Sequence, residues 1–364
     1  MLKRIITLLL VMILVSGCSK KEVFKEISFS SWGSITEVGI LKKIISEYES
    51  ENPDVKINFI HIPQNYFPKI HLLFASNTAP DVLFINNLNL PIYADYLEDL
   101  SKVIDTEDYY IQSIEGLTYQ DKLLAIPRDV SNLLLYVNLD LVDISKEKFS
   151  IDDMLNIAQK TTKDGVWGIG YEADVYWALP YLAYYGGGIL DENFENIFQS
   201  AKSQEGLAFY KNLVQKYRVA PSKSQVGSST LAQMFIDGKI AMYLSGRWMY
   251  PKITEKAKFN WAVVTFPVGV APQPCDTSGW AISKKSKNKE IAMDFVKYIS
   301  SAKSSEYFAR SGLVVPARIS VSKILDNEQH NEKAFLEAVK ISRKTFVDKN
   351  YKKLVDKINK DLEI

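Results

Sequence analysis

A short segment in the second half of the chain carries residues suited to holding a flat ligand. An apolar strand, Ile240 to Leu244, is followed by Gly246, Arg247 and Trp248. Ligands of open α/β sheets lie beyond the carboxyl ends of the strands, so Trp248 would stand at such an edge. Its indole offers a flat apolar face and one N–H donor, and it either packs locally or faces something flat. The residues alone leave both interpretations open.

The patterns of common catalytic and cofactor sites do not occur in this sequence. No metal-ligand spacing relates the three histidines, His61, His71 and His330. The sequence also lacks a Gly-x-Ser-x-Gly elbow, a Gly-Lys-Ser/Thr phosphate loop and a zinc-binding cysteine set. The glycines of residues 165–170 lack the order and the flanking strand of a dinucleotide fingerprint. We therefore predict that the protein is not an enzyme and has no catalytic residue, metal or cofactor.

Length and composition indicate a soluble protein of two domains. With 364 residues, the chain exceeds what one ordinary hydrophobic core accommodates. Hydrophobic residues make up 47% and charged residues 24%, which is typical of globular proteins. The formal net charge of +1 gives no reason to expect a polyanionic partner, and we predict no binding to nucleic acid.

The N-terminus has the features of a secretory leader. Two basic residues precede an apolar run, Ile5 to Val15, that is shorter than the roughly 20 residues of a membrane-spanning helix. The residues from Val15 to Cys18 resemble a lipobox, which implies a signal peptide of residues 1–17 and lipid attachment at Cys18. Residues 18–25 would form a lipidated tether that holds the protein at the extracytoplasmic face of a bacterial membrane.

The elements that would position a site follow one another in a regular order. Strand periodicity in Ile27 to Ser31 and in Val55 to Ile60, and the apolar run Leu83 to Ile85, alternate with helical patterns. This β-α-β-α-β order predicts a parallel sheet. The carboxyl ends of its first and third strands would carry Trp32, Gly33, Ser34, Asn86 and Asn87.

Several segments resemble one protein family. The matching motifs are Phe235-x-x-Gly238-Lys239-x-Ala241-Met242, Gly246-x-Trp248 and Lys289-Glu290-x-Ala292-x-x-Phe295-x-x-Tyr298. They resemble the extracellular solute-binding proteins of carbohydrate ABC importers, the maltose-type family, and the resemblance covers nearly all of the mature chain. It implies an α/β fold of the type II periplasmic-binding-protein class, in which two domains enclose a ligand cleft and close by a hinge.

The resemblance also implies where the chain passes between the domains. Candidate crossings lie at Pro127, Pro272 and Pro316. The implied N-terminal domain comprises residues 26–128 and 276–313, and the implied C-terminal domain comprises residues 129–275 and 314–364.

The family's function implies a carbohydrate ligand whose apolar faces stack on tryptophans while short polar groups bind its rim. Trp248 would be the main platform. The full predicted ligand-binding set is Trp32, Gly33, Ser34, Asn86, Asn87, Arg128, Asp129, Trp177, Gly187, Gly246, Arg247, Trp248, Gly279, Trp280 and Arg318. The partners implied are the transmembrane permease subunits of an ABC importer, and the protein itself would be a monomer.

Three alternatives stay open at the level of sequence. A phosphorylated polyol, such as a glycerophosphodiester, would use Arg128, Arg247 and Arg318 as cationic groups. A surface glycosidase needs only two carboxylates at a suitable separation, which leave no sequence pattern. An adhesive lipoprotein would share the leader but would not need three crossings between two domains. Arg128 and Asp129 have an alternative of their own, a solvent-exposed ion pair.

Overall fold

The computed structural model describes residues 24–144 and 149–363. The predicted leader and the predicted lipidation site, Cys18, lie outside the described residues. Of the predicted tether, only residues 24 and 25 are described, and Lys25 begins the first strand. Within the described ranges, no helix is both long enough and apolar enough to span a membrane.

Strands and helices alternate in the first part of the chain, as the sequence predicted. In chain order the strands are β1 (Lys25–Ser31), β2 (Val55–His61), β3 (Val82–Asn86), β4 (Thr118–Tyr119), β5 (Lys122–Leu123), β6 (Ile126–Ser131), β7 (Leu134–Asn138), β8 (Trp167–Ile169), β9 (Ile240–Ser245), β10 (Trp261–Thr265), β11 (Pro274–Ile282), β12 (Val315–Pro316) and β13 (Arg343–Lys344). The α-helices are α1 (Ile35–Glu51), α2 (Tyr66–Ala75), α3 (Leu90–Tyr93), α4 (Ile111–Gly116), α5 (Ile151–Thr161), α6 (Val175–Tyr184), α7 (Ala201–Gln215), α8 (Lys223–Val226), α9 (Leu231–Ile236), α10 (Tyr250–Lys256), α11 (Lys289–Ile299), α12 (Ala302–Arg310), α13 (Ile319–Ser322), α14 (Ala334–Lys340) and α15 (Tyr351–Lys360). Short 3-10 helices lie at Ala94–Tyr96, Arg247–Met249, Lys323–Leu325 and Gln329–Asn331.

The larger sheet has the strand order β12-β6-β11-β3-β1-β2, with β13 beside β11. β1 runs parallel to β2 and β3, whereas β11 returns antiparallel to β3 and β6. Phe29 packs edge to face against Trp280 and Phe295, with ring centroids 5.4 and 5.3 Å apart. These aromatic contacts pack β1 against β11 and α11. Because β1 and β3 are parallel neighbours, their carboxyl ends meet at one edge of the sheet.

The smaller sheet has the order β10-β7-β9-β8 and packs on both of its faces. Tyr136, Tyr243 and Trp261 belong to a core that is continuous with that of the larger sheet. Val137 and Met242 point the other way, into a second core. Because side chains alternate across a strand, one short sheet serves both cores and joins the two halves of the molecule.

Strands of the larger sheet run across all three predicted limits between the domains. β6 continues in the larger sheet to Ser131, β11 begins at Pro274, and β12 adds to the outer side of β6. Residues 129–131, 274–275 and 315–316 therefore pair with the larger sheet, whereas the sequence assigned them to the second domain. β6 continues past Pro127. The register of β11 shifts between Ser278 and Gly279, opposite Pro127, and an irregular pairing of this kind tolerates the N–H that proline lacks. The division of the chain into two domains stays a prediction.

Candidate functional site

A cavity of about 490 Å³ lies where the carboxyl ends of β1 and β3 approach the residues that follow β6 and β9. Six of the predicted ligand residues line it: Trp32, Asn86, Arg128, Asp129, Arg247 and Trp248. Trp32 comes from the larger sheet and Trp248 from the smaller one, so the two halves of the molecule each contribute a flat side chain. The remaining lining residues are Glu37, Phe84, Leu88, Val130, Ser131, Asn132, Tyr176, Asp276, Thr277, Ser278, Leu313, Val314 and Val315.

The loop that carries Trp32 is held by the first turn of α1. The backbone N–H of Ser34 donates to Glu37 Oε2 at 2.9 Å, and the Ser34 hydroxyl accepts from the N–H of Glu37 at 3.3 Å, which confirms the predicted capping box. Gly33 has φ +132°, a conformation that side chains rarely adopt. Gly33 and Ser34 do not line the cavity. They fix the loop so that Trp32, which is 40% exposed, rests 5.2 Å from the ring of Phe84.

Trp248 lies on the 3-10 turn after β9 and keeps 37% of its surface exposed. A β-carbon added at Gly246 would lie 1.9 Å from Cζ3 of Trp248, so the indole folds directly over this glycine. The carbonyl of Gly246 accepts a hydrogen bond of 2.9 Å from the Tyr136 hydroxyl, which ties the turn to β7. Gly246 thus shapes the platform without lining the cavity itself. Trp248 packs locally on one face and leaves surface free at the cavity.

Replacing Gly246 by alanine should displace the indole of Trp248, since a methyl group cannot share its position. We expect any ligand that uses this indole to bind at least about tenfold more weakly, the equivalent of roughly 1.4 kcal/mol. Gly39→Ala is the matched control: it lies on α1 with no atom within 4 Å of an added β-carbon and should stabilise the helix slightly. Calorimetric titration of both variants checks this, and unchanged affinity in Gly246→Ala would contradict it.

Arg128 and Asp129 form an ion pair, but the pair is buried rather than solvent-exposed. Arg128 Nε donates to Asp129 Oδ2 at 2.5 Å, and its Nη1 lies 3.4 Å from Glu37 Oε1. The guanidinium also lies over the ring of Phe84, 5.1 Å from its centroid. Burial acts to lower the pKa of Arg128, but the charges of Asp129 and Glu37 outweigh it and raise this pKa. Ser278 Oγ donates to Asp129 Oδ2 at 2.8 Å, so much of the hydrogen-bonding capacity of the pair is already used.

Arg247 is also committed to protein partners. Its guanidinium forms a salt bridge with Glu332 and donates to the carbonyls of Ala309 and Val314. Only 5% of the residue is exposed. Ala309 and Val314 belong to α12 and to the segment before β12, which pack on the larger sheet. Arg247 therefore links the turn carrying Trp248 to the other half of the molecule, and its contact with a ligand stays a prediction.

Two predicted tryptophans do not line the cavity. Trp280 is fully buried beside Phe29 and Phe84, so it has no surface to offer a ligand. Its position on β11, between β3 and β6, turns it into the core. Trp177 is half-buried, and its indole N–H donates to the carbonyl of Leu244 at 3.1 Å. Neither position supports the prediction that these two side chains stack on a ligand.

The other predicted residues outside the cavity have structural contacts that explain their type. A β-carbon at Gly187 would lie 2.5 Å from the Cα of Ser203, and one at Gly279 would lie 2.3 Å from the carbonyl oxygen of Ile126, so both glycines permit close backbone packing. Asn87 is buried behind the cavity wall and donates to Asp276 Oδ1 at 3.0 Å.

Arg318 lies apart from the cavity as well. It bonds to Asp108 Oδ2 and to the carbonyl of Ser300, each at 2.8 Å, and covers the ring of Tyr109.

The sequence did not identify several polar residues of the cavity. Tyr176 lines it in place of its neighbour Trp177, because α6 turns that side of the helix inward. Asn132 directly follows β6, and Asp276 lies near the start of β11. Each residue is therefore close to a crossing between the two sheets. The only available signal for these two was their position beside the crossings. Within the described ranges, no three His, Cys, Asp or Glu side chains lie together as potential metal ligands.

Known proteins resemble this chain over most of its length. A model of bacterial extracellular solute-binding proteins matches residues 43–336. The galactooligosaccharide-binding protein of Bacillus subtilis (strain 168) is 22% identical over 333 residues, covering 83% of this chain and 77% of that protein. The maltodextrin-binding protein of the same organism is 25% identical over 320 residues, covering 80% and 73%. An ABC substrate-binding protein from Listeria monocytogenes, solved in complex with cycloalternan, aligns with a TM-score of 0.84, 24% identity and 93% coverage of both chains. This likeness confirms the predicted two-domain periplasmic-binding-protein fold.

Proposed function

Since the chain belongs to the bacterial extracellular solute-binding proteins, we propose that it captures a carbohydrate in the cavity and delivers it to the permease of an ABC importer. Trp32 and Trp248 carry this proposal, because they present partly exposed indoles to one cavity from opposite halves of the molecule. Sugar rings have apolar C–H faces that stack on such side chains. The relatives are named for galactooligosaccharides and maltodextrin, which supports a sugar of more than one unit.

The charges around the cavity favour a neutral ligand over a phosphorylated polyol. Both arginines that line it are engaged in buried ion pairs, Arg128 with Asp129 and Glu37, and Arg247 with Glu332. A phosphate group needs cationic donors that are free to bind it. The lining also includes Asp276, which would repel a phosphate.

We also propose that the protein binds its ligand without chemical change. The known members of the family are binding proteins, and the proposed role requires release of an intact sugar to the permease. A surface glycosidase would release sugars from a chromogenic glycoside. We expect no such release.

A thermal-shift screen of mono-, di- and oligosaccharides tests the proposed function. A sugar present at a hundredfold its Kd should stabilise the folded protein by about 2.7 kcal/mol, which raises the melting temperature measurably. If the two domains close on the ligand, X-ray scattering should show a smaller radius of gyration with the sugar than without it. No stabilisation by any carbohydrate would contradict the proposal.

Lipid anchoring at Cys18 is a separate proposal, which rests on the leader and the lipobox. We expect mass spectrometry of the protein isolated from membranes to show a mature chain that begins with an acylated Cys18. Substitution Cys18→Ser should release the protein from the membrane fraction. A mature chain that begins at another residue would contradict the anchor.

A further inference from the structure

The part of the cavity wall nearest the crossing from β6 to β7 is polar. Ser131 ends β6 and pairs across the strands with Asp276 of β11, and Asn132 follows it. Tyr176 of α6 also lines this part of the cavity. The four residues bring polar groups together on one part of the wall, and two acceptor atoms among them receive no hydrogen bond from residues 24–144 and 149–363.

Asn132 contributes to the cavity wall, and its unpaired acceptor lies beneath the surface of that wall. The residue is 3% exposed, and its Nδ2 donates to the carbonyl of Phe335 at 3.4 Å, which assigns the other amide atom as the oxygen. Oδ1 is buried and has no hydrogen-bond partner among residues 24–144 and 149–363. A buried amide oxygen without a donor is costly, so native structures rarely leave one unless something else supplies the donor.

Asp276 adds a second acceptor on the neighbouring strand. The residue is 9% exposed. Its Oδ1 accepts hydrogen bonds from the side chains of Asn87 at 3.0 Å and Thr345 at 2.6 Å. Oδ2 accepts none from the described residues, and no lysine, arginine or histidine of those residues pairs with this carboxylate. Burial raises the pKa of Asp276, although the bonds from Thr345 and Asn87 oppose the shift.

We propose that Asp276 Oδ2 accepts a hydrogen bond from a hydroxyl group of the bound carbohydrate, and that the amide of Asn132 turns toward the ligand so that Oδ1 accepts a second one. The two acceptors thereby select which sugar fits. This inference rests on the proposed function and specifies how the polar rim of the ligand is read. The indoles bind any sugar with an apolar face, whereas two acceptors on the cavity wall require donors at matching positions of the ring. A site built to pair with a hydroxyl discriminates strongly against an analogue that lacks it, because its own polar group then stays unpaired.

The test compares two variants with the full-length protein in calorimetric titrations of maltose, maltotriose, maltotetraose and a galactooligosaccharide. Asp276→Asn keeps the acceptor for Asn87 and Thr345 but turns the other atom into a donor. We expect it to weaken the binding of the best sugar about 10- to 100-fold, the range for hydrogen bonds to a charged group. Asn132→Ala should weaken it about tenfold. Asp237→Asn removes an exposed carboxylate outside the cavity and should leave affinity unchanged.

The melting temperatures of the ligand-free proteins separate this role from a structural one. Asp276→Asn should melt no lower than the wild type, because it removes a buried charge. If the wild type binds a sugar and neither variant binds it more weakly, the inference is overturned while the proposed function stands. The inference is also overturned if the variants lose affinity only where their ligand-free melting temperature has fallen. If neither these sugars nor any carbohydrate of the thermal-shift screen binds the wild type, the proposed function fails and this inference fails with it.

Discussion

Replacing Trp248 by alanine should abolish most of the sugar-induced rise in melting temperature while the ligand-free protein stays folded. The indole rests on Gly246 at one face and keeps 37% of its surface exposed, so its removal opens the cavity without emptying a core. An aromatic anchor in a binding pocket typically costs about 2 kcal/mol or more when truncated. Affinity should fall by at least about 30-fold.

Trp167→Ala provides the control for Trp248→Ala. Trp167 lies half-buried on β8, outside the cavity, and its loss should lower the melting temperature but leave the sugar-induced rise intact. If Trp248→Ala unfolds the protein, the indole is a packing residue. If Trp248→Ala binds sugar as the wild type does, the cavity is not the binding site.

Replacing Arg247 by methionine should destabilise the protein by about 3–5 kcal/mol, because Glu332 would stay buried without its cationic partner. The carbonyls of Ala309 and Val314 would lose their donor as well. Urea denaturation of the ligand-free protein measures the loss. The sequence predicted a different role for Arg247, that of a ligand-binding residue.

A double variant tests whether the ion pair is the cause. Arg247→Met combined with Glu332→Gln removes both charges and should recover a large part of the lost stability, since no uncompensated charge stays buried. The introduced side-chain amide would still be able to accept from Asn327, which donates to Glu332 Oε2 at 2.6 Å in the wild type. A double variant as unstable as Arg247→Met, or a single variant that loses less than about 1 kcal/mol, would show that the pair contributes little.

Local patterns in the sequence determined the elements and the edge of the sheet where a site would form. The alternation of β1, β2 and β3 with helices predicts parallel strands, and parallel strands place their carboxyl ends together. Trp32 and Asn86 follow directly from that rule, and both line the cavity. The capping box at Ser34 is equally local, since its partner Glu37 lies within one helical turn. The motif around Gly246 and Trp248 indicated the family from residue identities alone.

The tertiary structure decided which polar and aromatic side chains are free to meet a ligand. Arg247 and Arg318 each pair with a carboxylate that lies far away in the chain, and Arg128 adds the distant Glu37 to its neighbour Asp129. The pairing of β11 between β3 and β6 buries Trp280, and it brings Asp276 beside Ser131 from a distant part of the chain. Burial and pairing depend on contacts between distant segments, and a sequence pattern within one helix or strand carries no information about them.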